Sequence, residues 1–140
     1  MDTEKKKKKI LLIEDEVNLQ ELIKFRLEEA GYEVLIAGDG LSGLSLVRTQ
    51  KPDLVLLDLM LPKLDGYTIC RLLKMDDATR GIPIVMVTAR TMPQDRERGL
   101  EMGADAYITK PADFTTLLAK IEELTKKEAK KAESTPPDEG

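Results

Sequence analysis

The sequence predicts an α/β fold, a parallel sheet covered by helices in a single domain. Three observations carry that prediction. Ile10-Leu11-Leu12-Ile13, Leu54-Val55-Leu56-Leu57 and Ile84-Val85-Met86-Val87 are unbroken apolar runs, the pattern of strands buried on both faces. Longer stretches of helical period separate the runs. Glycines stand where the first and fourth of those stretches should stop.

The elements follow in order. A first strand covers 10–13. Leu19, Ile23, Leu27 and Ala30 recur at helical spacing and end at Gly31, which marks the first helix and its stop. A second strand covers 32–37, and a second helix 42–49. The third strand is 54–57, followed by a helix over 66–75. The fourth strand, 84–87, leads into a helix over 93–102 that Gly103 ends. The weaker run 106–109 is the fifth strand, and 114–126 the fifth helix. At the two ends, 1–8 form a basic arm with consecutive lysines, and 127–140, passing from Lys, Glu and Ala into Ser134-Thr135-Pro136-Pro137-Asp138-Glu139-Gly140, are expected to be a disordered tail. The folded domain is 9–126.

Composition sets the outer limits. The chain has 140 residues, with 22 basic and 26 acidic side chains and a net charge of −4. Such a length buries roughly two thirds of its unfolded surface and needs no disulfide or structural metal. The single cysteine, Cys70, suits a reducing, cytoplasmic setting and reads as buried apolar filler. With no histidine, histidine triads, histidine metal sites and phosphohistidine donation are excluded for this chain. No apolar stretch has the length of a signal core or a membrane span. The lysine run lacks interleaved aromatics and sits in an acidic chain, so it reads as a solvated arm, with no direct nucleic-acid binding expected.

The polar residues that break the pattern fall at the carboxyl ends of the strands, where open α/β sheets bind ligands. Glu14 and Asp15 follow the first run, Asp58 the third and Lys110 the fifth, while Thr88 ends the fourth. Singly, each has an ordinary role as a helix cap, a loop solvator or a surface lysine. Together they place three acids, a hydroxyl and an amine on one edge. Clustered carboxylates repel unless a cation sits among them, and hard oxygen ligands suit Mg²⁺. A lysine and a threonine beside such an ion suit a phosphoryl group, which an aspartate can itself accept as nucleophile.

Glu14-Asp15, Asp58-Leu59-Met60-Leu61-Pro62, Asp65-Gly66, Thr88-Ala89 and Lys110-Pro111 resemble, in order and spacing, the receiver domains of bacterial two-component response regulators over 9–124. The resemblance implies a flavodoxin-like doubly wound sheet of five parallel strands, order 2-1-3-4-5, with five helices. It implies Asp58 as phosphoacceptor from a sensor histidine kinase or phosphotransfer protein, and Asp15 as the direct Mg²⁺ ligand. Glu14 would be the second acid, longer than usual and acting through a coordinated water. Asp58 and the backbone carbonyl of Met60 would complete the protein's share. Lys110 and Thr88 would hold the phosphoryl group, assisted by the backbone amides of Met60 and Ala89.

The same resemblance makes Thr88 and Tyr107 a switch that biases the surface of the fourth helix, fifth strand and fifth helix toward a downstream effector. Tyr107 reads equally well as a half-buried strand tyrosine with its hydroxyl in water. Met60 and Arg90 flank the path of attacking water and would set the lifetime of the phosphoaspartate. Ala106, Ala112 and Thr116 stand where dimerising, DNA-binding relatives carry charged or aromatic residues, although Asp105 and Lys120 remain. A monomer or weak dimer that docks on another protein is expected.

Other readings fit less well. A phosphate-ester hydrolase needs a second acid where Met60 stands, and a nucleotide module needs a glycine-rich loop where Glu14-Asp15 stand. A degenerate receiver that works as a phosphorylation-independent interaction module is the alternative, weakened by the complete set of site residues. The chain is read as a phosphoacceptor that catalyses only its own phosphorylation and dephosphorylation.

Overall fold

The computed structural model describes residues 7–111 and 113–134, with side chains as far as 126. Five strands and five helices alternate: β1 (Lys9–Ile13), α1 (Val17–Glu29), β2 (Glu33–Ala37), α2 (Gly40–Gln50), β3 (Leu54–Leu57), α3 (Gly66–Met75), β4 (Ile84–Thr88), α4 (Pro93–Glu101), β5 (Ala106–Thr109) and α5 (Phe114–Ser134). The strands form one parallel sheet in the order β2-β1-β3-β4-β5, as the flavodoxin-like resemblance implies.

Alternation along each strand divides the core. Leu11, Ile13, Val55, Leu57, Ile84 and Met86 point to the face covered by α2 and α3. Ile10, Leu12, Leu54, Leu56, Val85 and Val87 point to the face covered by α1 and α5, where Ile23, Leu27, Leu117 and Ile121 meet them. Both faces of the three central strands β1, β3 and β4 are dry, so these strands are apolar almost throughout and show no alternation in the sequence, whereas the edge strands β2 and β5 keep exposed positions at Glu33 and Thr109. Cys70 is buried in the first of these clusters, and burial pushes its thiol up to about 11.

Helix ends follow their capping chemistry. Glu16 caps α1, accepting from the Leu19 N–H at 2.9 Å. Gly31, with φ 100°, takes the left-handed turn just beyond the end of α1, as Gly103, φ 108°, does after α4. Asp39 caps α2 through the Ser42 N–H at 2.8 Å, so the helix starts at Gly40, ahead of the expected 42. Asp65 caps α3 through the Thr68 N–H at 3.0 Å.

The helix α5 runs to Ser134 where the sequence reading starts a disordered tail at 127. The reason is local: 127–133 are all lysine, glutamate and alanine, strong helix formers that prolong an existing helix without a core to bury. The remainder of that tail, 135–140, and most of the basic arm, 1–6, lie outside the described residues. Among the described residues no helix is long and apolar enough to cross a membrane.

Lys51 ends α2 in the left-handed region, φ 47° and ψ 62°, a conformation that costs a non-glycine residue about 1 kcal/mol. Lys51→Gly therefore raises the free energy of unfolding by about 0.5–1 kcal/mol, measured by urea denaturation. An unchanged or lowered value contradicts this account of the turn.

Candidate functional site

Parallel pairing carries each strand one residue into the site. The Glu14 N–H donates to the Ala37 carbonyl at 3.0 Å, the Asp58 N–H to the Ile13 carbonyl at 3.1 Å and the Lys110 N–H to the Thr88 carbonyl at 2.7 Å. These residues are thus fixed by the sheet, although they stand just past its strands. The chain order reverses between β1 and β3, and this switch point is the crevice where open sheets bind ligands. Glu14, Asp15 and Asp58 lie there.

A carboxylate oxygen from each of these three acids lies within 4.8 Å of the others. Glu14 and Asp58 are buried, at 3% and 7% exposure, while Asp15 is exposed. The Lys110 ammonium reaches across from the end of β5, donating to Glu14 Oε1 at 2.9 Å and Asp58 Oδ2 at 3.0 Å. Asp58 Oδ1 accepts from the Met60 N–H at 3.1 Å. Glu14 Oε2 accepts from the Glu16 N–H at 3.1 Å. Two buried carboxylates are thereby satisfied by one ammonium and two backbone amides.

Burial raises the Glu14 carboxyl above its ordinary value, against the lowering pull of the Lys110 hydrogen bond and the Glu16 N–H. Burial works against the Lys110 ammonium, but the hydrogen bonds to Glu14 and Asp58 together outweigh it, and the lysine is raised. The donor set fits a hard divalent ion: three carboxylates at one point, one of them open to solvent. The peptide between Lys110 and Pro111 is cis.

Close approach fixes the loop after Asp58. A Cβ on Gly66 would lie 2.6 Å from the Asp58 carbonyl oxygen and 2.8 Å from the Leu59 Cα. Both are backbone atoms, so the Asp65-Gly66 pair supplies a helix cap followed by a residue without a side chain. Thr88 is fully buried, and its Oγ1 accepts from the Arg90 N–H at 3.3 Å, which leaves the hydroxyl proton free to donate. Ala89 lies beside it on the wall of a cavity of about 500 Å³. Met60 is 56% exposed at the mouth of the site.

Tyr107 departs from the half-buried reading. It is 6% exposed, and its hydroxyl donates to the Arg90 carbonyl at 3.0 Å. Burial, with Tyr67 and Asp95 nearby, pushes its phenol up to about 12. The Arg90 guanidinium is drawn sideways to Asp95 Oδ1 at 3.4 Å. Two supports were not legible in the sequence. The Gln20 side-chain amide donates to the Glu14 carbonyl, and Tyr67 donates to Asp95. The first is a local contact from the opening of α1 back to the loop after β1, and the second joins α3 to α4, which only packing brings together.

A doubly wound sheet with an acidic cluster at its switch point and a lysine reaching in from its last strand defines the class of receiver domains in signalling. Residues 10–122 match the model of the response regulator receiver domain, and the chain belongs to that family. It is 44% identical over 119 residues to the DNA-binding dual master transcriptional regulator RpaA of Synechocystis, covering 85% of this chain and 49% of that protein. The chain thus spans about half the length of the curated relatives it matches. A CheY-like receiver domain from Methanospirillum hungatei superposes with a TM-score of 0.84 at 32% identity, over 90% of this chain and 99% of that one. The receiver domain of a Pseudomonas aeruginosa sensor histidine kinase, solved with a magnesium ion coordinated in its active-site cleft, gives 0.79 at 32% identity, over 86% and 98%.

The charge balance sets a pH dependence. With Glu14 raised in the folded state, its contribution to stability is present below the ordinary carboxylate value and lost as pH rises through the raised one. Lys110→Met removes the counter-charge and deepens that loss. The variant is less stable than the wild type by about 1–2 kcal/mol at pH 8, and the gap shrinks as pH falls below about 5. Urea denaturation at the two pH values checks this, and a gap independent of pH contradicts it.

Proposed function

We propose that this chain is a phosphoacceptor switch in two-component signalling. Asp58 takes a phosphoryl group from the phosphohistidine of a sensor histidine kinase or phosphotransfer protein, or from a small phosphodonor. The observation that carries the reading is the position of Asp58: buried at the switch point, with one carboxylate oxygen on Lys110 and the other on the Met60 N–H. The restraint presents its oxygens in a fixed direction, which is what in-line displacement requires.

An Asp58 oxygen attacks phosphorus, the new P–O bond forms as the P–N bond of the donor breaks, and the electron pair leaves on the imidazole nitrogen. Lys110 pairs with one phosphoryl oxygen, and the free hydroxyl proton of Thr88 is donated to another. The backbone amides of Met60 and Ala89 assist. Glu14, Asp15, Asp58 and the Met60 carbonyl are the residues that would hold Mg²⁺, as a relative's cleft does. The ion supplies neutralisation of the charge that builds up on the transferred group. The Lys110 ammonium, raised above its ordinary value, remains charged throughout.

The donor docks beside the site. The cavity next to Lys110 is walled by Leu19, Leu22 and Ile23 of α1 and by Phe114 and Leu117 of α5, which suits apolar side chains from a donor helix. Output passes through Thr88 and Tyr107 to the face of α4, β5 and α5, which contacts a downstream effector protein in the cytoplasm. The charges left for a dimer on that face are engaged within the chain: Asp105 Oδ2 accepts from Lys74 at 3.1 Å and from the Ile84 N–H at 2.8 Å, and Lys120 pairs with Glu123 at 3.1 Å. This supports a monomer or weak dimer that docks on another protein. Thr116 lies on α5, and Ala112 lies outside the described residues.

Intact mass after incubation with acetyl phosphate and Mg²⁺ tests the proposal. The wild type gains one phosphoryl group, Asp58→Asn gains none, and a chelator prevents the gain. A folded wild type that gains nothing overturns the proposal in favour of a phosphorylation-independent interaction module. Apolar Met60 and the long Arg90 flank the path of attacking water and prolong the phosphoaspartate. Met60→Asn accordingly speeds its hydrolysis severalfold, and an unchanged rate contradicts that role.

A further inference from the structure

The helix α4 has the weakest apolar anchor of the fold. Of its described residues Gly99 is the one buried, while its N-cap Met92 and its own Leu100 are 54% and 42% exposed. No side chain caps its N-terminus. Polar contacts from outside therefore decide where α4 sits. Tyr67, buried on α3, shares its hydroxyl proton between the Asp95 carbonyl at 3.2 Å and Asp95 Oδ1 at 3.3 Å. Arg98, one turn further along α4, lies over the Tyr67 ring at 4.4 Å from its centroid.

The same Asp95 oxygen receives the Arg90 guanidinium at 3.4 Å. Arg90 is thus held at three points. Its N–H rests on the Thr88 hydroxyl at 3.3 Å, its carbonyl receives the Tyr107 hydroxyl at 3.0 Å, and its side chain is tied to α4. Arg96 closes the circuit by donating to the Tyr107 carbonyl at 3.3 Å. Room for the inward ring comes from Gly99, where a Cβ would lie 3.0 Å from the Tyr107 Cδ2 and 2.7 Å from the Met86 Sδ.

We propose that Tyr67 and Asp95 are positioning residues that hold Arg90 so that Tyr107 is seated inward before any phosphoryl group arrives. The contact between α3 and α4 then sets the resting position of the switch, and phosphorylation acts on a partly prepared state. This rests on the reading of Thr88 and Tyr107 as the switch and adds what biases it. Neither residue touches the site: each acts through Arg90, whose carbonyl is the seat of the Tyr107 hydroxyl. In a two-state description, loss of one such hydrogen bond moves the ratio of inward to outward states about fivefold.

The test uses the full, unphosphorylated chain with ¹³C-labelled tyrosine, and the neutral nitroxide TEMPOL as probe of ring exposure by NMR. Tyr107→Phe assigns the resonance. In the wild type the Tyr107 ring is as protected from the nitroxide as the Tyr67 ring. Tyr67→Phe, which keeps the ring under Arg98, and Asp95→Asn, which keeps the shape, each raise the relaxation of Tyr107 severalfold. The double variant exceeds the larger single effect by little, because both act through one path. Asp95→Glu restores part of the protection.

Folding of each variant is checked by its melting transition. A Tyr107 ring that stays equally protected in folded Tyr67→Phe and Asp95→Asn overturns the proposal, as does a wild-type ring already exposed. No phosphodonor is present, so this result is independent of whether Asp58 accepts a phosphoryl group. Uptake of phosphoryl by the wild type with Tyr107 unprotected leaves the receiver function standing and removes the clamp. Protection without uptake does the reverse.

Discussion

Lys110 stands at the meeting point of three distant parts of the chain, and the site depends on its charge. Glu14 and Asp58 are buried at the ends of neighbouring strands, close enough to repel. One ammonium, held by β5 at the other side of the sheet, lies within 3.0 Å of both. Taking either carboxylate out of water costs several kcal/mol, and the ammonium with two backbone amides offsets that cost. The arrangement forces β1, β3 and β5 into one relation, because the lysine reaches both acids only if the three strand ends are level.

The sheet supplies that relation. The regular register of parallel pairs places the residues after β1, β3 and β5 and the last residue of β4 along one edge. The polar residues at the ends of β1, β3 and β4 thus follow immediately on buried runs, so that chemistry and core occupy adjacent positions of the same strands, while Lys110 reaches in from the edge strand β5, whose last residue is exposed. The opposite behaviour appears at α4, which buries little and is located by hydrogen bonds and a cation over a ring. A helix held in this way can shift without disturbing the core, whereas the strand ends cannot. Rigid strand ends and adjustable helix are joined by the residues from Thr88 to Asp95.

Much of this was legible in the sequence because the relevant signals are local. A strand buried on both faces must be apolar throughout, so three of the five strands stand out as runs. Gly31 and Gly103 mark turns that require positive φ. Glu14, Asp15, Asp58, Thr88 and Lys110 are visible because they interrupt apolar runs at one end. The parts that were missed depend on tertiary contact or on propensity without a core. The end of α5 is a helix of good helix formers with no apolar stripe to announce it. The burial of Tyr107 depends on the space left by Gly99, eight residues away in sequence. Tyr67 and Asp95 look like ordinary helix residues until α3 and α4 pack, and Gln20 looks like one until its amide turns back to the Glu14 carbonyl.

The central claim is that the carboxylate cluster, Lys110 and Thr88 form one phosphoryl site at Asp58. Beryllofluoride, a phosphoryl mimic, added with Mg²⁺ before a crystal structure is solved, tests it most directly. The account predicts beryllium bonded to an Asp58 carboxylate oxygen, with fluorines in hydrogen-bond reach of the Lys110 ammonium and the Thr88 hydroxyl. An adduct at another residue, or an Asp58 left free while Mg²⁺ occupies the acidic cluster, would contradict it.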